Sequence, residues 1–199
     1  VLGNVFTTNP KVSFIFTGSY IGVVKTLLNP PSNSPLHGRP PAVLTLKPFN
    51  EEKAKEFLKK GMVELHVKFD KEEEVVKKLD GVVGWLTLFG NLYAVRGLSF
   101  DEALKETIEE GKKIMAEEFS HFLEDKVNKK LYVEIMRSAK VVSKWKEIKR
   151  GVEINLGKVD DKVFSNALES LVNSGFLEKR DNEYVIVDPV LREVDFNSV

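Results

Sequence analysis

The sequence predicts an α+β, mostly helical fold, and three observations carry that prediction. Apolar residues recur at helical spacing through most of the chain, from Ala54, Phe57 and Leu58 to Phe164, Leu168, Leu171 and Val172. Strand-like runs are few and short, at residues 12–16 and 43–46 and on either side of Arg180-Asp181-Asn182. With 199 residues the chain is long enough for one large domain or two small ones, and a change of pattern near residues 125–130 favours division.

Taken in order, the apolar run 12–16 breaks at Thr17-Gly18-Ser19, as a buried parallel strand does when it delivers polar groups to a sheet edge. A helix over residues 20–29 follows, stopped by Pro30-Pro31, and a loop of Ser, Asn, Pro and Gly leads to the strand 43–46. Asn50, with Glu51 and Glu52 behind it, starts a helix expected to run to Gly61. Asp70 is expected to cap the next helix, residues 71–79, which turns Val75, Val76 and Leu79 inward. Residues 81–97 are almost uncharged and apolar all round, which predicts a helix buried between others. Ser99 then caps a long amphipathic helix over 100–124, with Asp101 and Glu102 at its positive end.

Beyond the boundary, three short helices are expected over 132–142, 145–150 and 160–173, the last capped by Asp160 or Asp161 and closed by Gly175. Segments 176–179 and 183–187 then form a hairpin. Three helices followed by a β-ribbon make a winged helix, so the chain divides into residues 1–49, a helical unit 50–127 and a winged-helix domain 128–199.

Lys plus Arg and Asp plus Glu are 30 each, so no broad attraction to nucleic acid or anionic membrane is expected. The absence of Cys excludes a disulfide framework and thiolate metal sites, and His37, His66 and His121 are too scattered for a ligand cluster. The chain also lacks Gln and is rich in Lys and Glu, the direction taken by hyperthermophile proteins. No run is apolar enough to span a bilayer and no signal peptide is visible, so a cytoplasmic location is expected. The first residue is Val and a strand follows almost at once, as expected for a fragment or remnant.

Five motifs occur in a telling order: FIFTGSYIG, SPLHGR, LTLKPFNEEKAKEFL, DGVVGWLTLFG and LVNSGFLEKRDNEYVIVDPVLR. Over nearly its full length the chain resembles the C-terminal part of archaeal ATPases of the AAA+/STAND superclass. The resemblance implies that residues 1–49 are a remnant of an α/β P-loop core containing the sensor-1 strand, that 50–127 form the helical lid, and that an appended winged helix follows. It implies ATP and magnesium as cofactors of the intact parent, with none expected for this chain alone. A P-loop-bearing region, and DNA or a protein on the winged helix, are the partners it implies.

Hydrolysis in such enzymes needs a Gly-rich loop with Lys, a Ser or Thr on magnesium and an acidic strand end. Gly111-Lys112-Lys113 lacks the upstream glycine and the hydroxyl, and lies within a helix. Residues 184–188 mimic an apolar run ending in an acid, but Pro189 and the ribbon context make Asp188 structural. Ser19 stands where a sensor hydroxyl would meet a phosphate oxygen, and equally where it would cap the helix from Tyr20. Arg39, on a Gly-Pro loop, is a candidate to stabilise charge on a transferred phosphoryl group, or is an ordinary loop arginine. Trp85, Phe89 and Tyr93 read as a binding groove or, more simply, as core. No arginine opens their segment to act as a second sensor.

On the winged helix, Lys162, Ser165 and Asn166 of the third helix, with Lys179 and Arg180 of the wing, are the candidates for DNA contact. Asp160, Asp161 and Glu169 share that helix and would repel phosphates, which leaves docking of the lid or a protein as the competing role. The expected function is therefore a lid plus winged helix from an ATPase, inactive in hydrolysis by itself. The alternatives are a winged-helix transcriptional regulator whose N-terminal helices dimerise or hold an effector, and a protein-interaction module.

Overall fold

A computed structural model describes residues 46–197 continuously, with Ile15, Ser34, His37, Ala42 and Leu44 as isolated positions. The expected strand at 12–16, the helix at 20–29 and most of the loop and strand up to residue 46 lie outside the described residues. The described chain is mostly helical, with one two-stranded sheet.

Helix α1 spans Glu51–Glu64, and its first turn is closed by the Asn50 side chain, which accepts from the Lys53 N–H at 2.9 Å. It passes through Gly61 rather than ending there, because Met62 still has a place in the core beside Ala54 and Leu58. Helix α2, Glu72–Leu79, corrects the capping assignment: Lys71 occupies the N-cap position and no side chain, Asp70 included, caps the helix. Burial of Glu72, Val75, Val76 and Leu79 fixes this start, one residue too far along for Asp70 to reach the free amides.

The apolar segment does not form one regular α-helix: Asp80, at φ 52° and ψ −152°, ends α2 just before it, α3 runs Val83–Gly90, and a π-helical turn, Asn91–Val95, continues it. Helix α4, Phe100–Glu124, opens with a full capping box in which Ser99 and Glu102 satisfy each other's backbone amides.

Asn128 caps α5, Lys129–Ala139, which starts and ends about three residues before the expected bounds. Helix α6, Trp145–Leu156, continues past Arg150 because Gly151 is a crossing point and not a break: a Cβ there would stand 2.6 Å from the Ser138 hydroxyl of α5. Asp160 caps α7, Asp161–Asn173, through the Lys162 and Val163 amides. Gly175, at φ 80°, closes α7 in a Schellman arrangement, with Gly175 N–H on Val172 O and Phe176 N–H on Leu171 O.

The hairpin pairs β1, Glu178–Arg180, with β2, Glu183–Val185, in the register Lys179 opposite Tyr184. The segment before α6 adds to its far edge, since Tyr184 N–H donates to Ser143 O at 2.7 Å and Lys144 bridges Glu183. The ribbon is shorter than expected because Phe176, Leu177 and Ile186 are drawn into the core. A last helix, α8, Pro189–Glu193, has no counterpart among the expected elements; Asp188 caps it and proline stands in its first turn.

Two apolar clusters hold these elements. The first gathers Leu58, Leu79, Leu86 and Phe89 around α1–α3. The second gathers Phe119, Ile135, Phe164 and Phe196 around α5–α7 and the C-terminal residues. Helix α4 belongs to both, giving Ala103 to the first cluster and Phe119, Phe122 and Leu123 to the second.

Candidate functional site

Ser19 and Arg39 lie outside the described residues. The other candidates fall on α7 and the hairpin, where the structure exposes Lys162, Ser165, Asn166, Lys179 and Arg180. Two of these already have partners. The Ser165 hydroxyl accepts from the Trp145 indole N–H at 3.2 Å, and Trp145 stands edge-on to the buried Phe164 ring. The Arg180 guanidinium donates twice to one oxygen of Glu178, at 2.9 and 3.1 Å, so its charge is countered on the strand itself.

Lys179 has its ammonium 5.7 Å from the Tyr184 ring centre. At the start of α7, Lys149 of α6 pairs with both Asp161 and Glu153. The hydrogen bond to Asp161 is the main cause that raises the Lys149 pKa, while the Val159 amide and then Lys149 hold the Glu153 carboxyl below its usual range. The surface around α7 therefore presents paired charges, with Lys162 and Asn166 as the exposed polar groups best placed on the helix.

Behind the hairpin, the end of α5, the start of α6 and α8 enclose an open groove of about 560 Å³. Its apolar lining includes Val142, Tyr184 and Ile186, and its charged lining is Lys140, Lys144, Glu147, Glu183 and Arg192. Arg192 is fixed there by its Nε–H, which donates to Ile186 O at 2.7 Å.

The most elaborate polar junction joins the two clusters. The Trp85 indole N–H on α3 points at the Asp188 carboxylate, 3.0 Å from Oδ2 and 3.2 Å from Oδ1. The same carboxylate accepts from the amides of Val190 and Leu191, at 2.8 and 3.1 Å, and so starts α8. Val190 then enters the first cluster while Leu191, Val194 and Phe196 enter the second. Residues 188–196 thus form a strap across both.

Gly111, near the middle of α4, makes this crossing possible. A Cβ at that position would lie 2.8 Å from a Val190 methyl and 3.1 Å from the Trp85 ring. The structural reading of Asp188 and the core reading of Trp85 and Phe89 agree with this geometry; Tyr93 is half-buried and stacks on Phe89 at 5.7 Å. Sequence reasoning missed the pairing itself. Its one local trace is Asp188-Pro189, an N-cap followed by proline in the first turn.

Among the described residues no three His, Cys, Asp or Glu side chains converge to hold a metal ion, and no helix is long and apolar enough to cross a membrane. No protein-family model and no curated protein matches the chain. Among solved structures, the chain is similar to a Walker-type ATPase of Pyrococcus abyssi, with a TM-score of 0.83 and 30% sequence identity over 96% of this chain. It spans 55% of that enzyme's chain. That likeness in both fold and sequence relates the chain to an archaeal P-loop ATPase.

Proposed function

We propose that this chain is the lid and winged-helix region of an archaeal ATPase of the AAA+/STAND type, with α1–α4 as the lid and α5–α7 plus the hairpin as the winged helix. Its function is transmission: movement imposed on the lid is delivered, through α4 and the strap, to the surface of α7 and the hairpin. The observation that carries this reading is the Trp85–Asp188 junction, where a residue of the lid grips the segment that closes the second cluster. A module hung on a flexible linker would need no such grip. The likeness to a Walker-type ATPase supports the enzyme class.

In the intact enzyme the reading assigns phosphate sensing to Ser19, and a contribution of positive charge to Arg39, with ATP and magnesium as cofactors. The described residues do not fit magnesium-bound ATP. Asp188, the acid that follows an apolar run, is occupied by two backbone amides and an indole, and no metal-binding cluster exists among the described residues. The sequence also contains no Gly-rich loop ending in Lys and Ser or Thr. The chain as given is therefore expected to release phosphate from ATP and magnesium no faster than a protein-free blank. Release proportional to protein concentration would overturn its inactivity.

The output partner we favour is a protein. Arg180 is held by Glu178, Ser165 by Trp145, and Asp161 lies beside Lys162 at the helix start, so the positive footprint that a phosphate backbone demands is not assembled. Exposure of Lys162 and Asn166 is what favours the second reading, DNA in a major groove. An electrophoretic shift assay at low salt separates the two. No shift is expected at micromolar protein, whereas a shift weakened by Lys162→Ala and Lys179→Ala would assign DNA.

A further inference from the structure

We infer that the Asp80–Gly81 turn is a strained clasp that holds the chain at Phe49 and couples whatever precedes Phe49 to the setting of α3. The Phe49 amide donates to Gly81 O at 2.8 Å, and the two backbones lie so close that a Cβ on Gly81 would fall 1.8 Å from Phe49 O and 2.5 Å from its carbonyl carbon. Only glycine permits this approach, because the obstructing atoms are backbone and have no rotamer by which to leave.

Beside it, Asp80 adopts φ 52° and ψ −152°, a region that belongs essentially to glycine. Its neighbours on both sides hold it there. The Asp80 amide ends α2 on Val76 O at 2.8 Å, its Oδ1 accepts the Gly81 amide at 2.9 Å, and Val82 O begins α3 by accepting from Leu86. The Phe49 ring packs at 5.7 Å from that of Phe57 on α1. One turn thus joins the end of α2, the start of α3 and the chain that enters α1.

Release of Phe49 frees Gly81 O and relieves the close approach at Gly81, so the Asp80–Gly81 turn relaxes and α3 re-sets with it. Trp85 lies in the first turn of α3, and through it the change reaches Asp188 and the strap. The functional meaning of the clasp rests on the proposal that residues ahead of Phe49 belong to an ATPase core. The clasp itself rests on geometry alone, and its test needs no nucleotide, so failure of one is distinguishable from failure of the other.

The test is amide hydrogen exchange at Phe49, with the indole N–H resonances of Trp85 and Trp145 followed by NMR in the full chain. Gly81→Ala should speed Phe49 exchange about tenfold or more and shift the Trp85 indole while leaving that of Trp145 in place. Asp80→Gly, which relieves the backbone strain with loss of the Oδ1 bond to the Gly81 amide, should slow Phe49 exchange several-fold, whether or not the alanine variant folds. A Phe49 amide that exchanges no more slowly in Asp80→Gly than in the unaltered chain overturns the inference. So does a folded Gly81→Ala protein with unchanged Phe49 exchange.

Discussion

Replacing Phe119 by alanine should lower stability by about 3–5 kcal/mol, the usual range for removing a fully buried aromatic ring. Phe119 lies on α4 with no exposed surface, edge-on to Phe176 and Phe196 at 5.2 Å each and stacked on Phe122 at 6.0 Å. Those three partners come from the same helix, from the residue after the α7 cap, and from the chain's last described turn. The ring is where all three meet. Each aromatic contact adds about 0.5–1.5 kcal/mol beyond burial, and a cavity walled by rings on three sides cannot collapse cheaply. Urea denaturation of Phe119→Ala and Phe119→Leu checks this; the leucine variant, nearer in volume, should lose less than about half as much.

Trp85→Ala should cost a similar amount, about 3–5 kcal/mol, but with a different signature. The indole is mostly buried in the first cluster, and its removal strips the Asp188 carboxylate of the donor that reaches it from α3. Asp188 keeps its two amides from α8, so the strap stays folded against the second cluster while its hold on the first weakens. Val190 loses the ring beside Gly111 that helps seat it. Two cores that melted together should then melt apart. Trp85→Phe, which retains most of the apolar surface and loses the N–H, should cost about 1.5–3 kcal/mol, the scale of one hydrogen bond to a charged group.

Much of this architecture is legible locally. Ser99 and Glu102 announce α4, Asn50 announces α1, and Asp160 with Gly175 brackets α7, because caps are chemistry between residues a few positions apart. Two glycines misled for a physical reason. Gly61 and Gly151 each lower helix propensity by about 1 kcal/mol, which a buried Met62 or a close crossing at Ser138 outweighs. Gly111, set aside as a poor phosphate loop, is instead the point where α3, α4 and α8 come within contact distance.

The irregular places were illegible because they are imposed from a distance. The turn at Asp80 uses local bonds, to Val76 O and the Gly81 amide, but the close approach of the Phe49 backbone to Gly81 comes from a distant part of the chain. The π-helical turn at Asn91–Val95 continues a segment apolar on every side, where periodicity carries no information. Helix α8, with five residues, is too short for any periodic signal. The Trp85–Asp188 pair spans 103 positions, and neither residue's neighbours name the other.

Calorimetric unfolding of the chain tests most directly whether the two apolar clusters act as one body. A single transition is predicted, with equal calorimetric and van't Hoff enthalpies, that splits in two when Trp85 is replaced by alanine. Two separate transitions in the unaltered chain would contradict the account, because α4 and the strap would then join the clusters without coupling them.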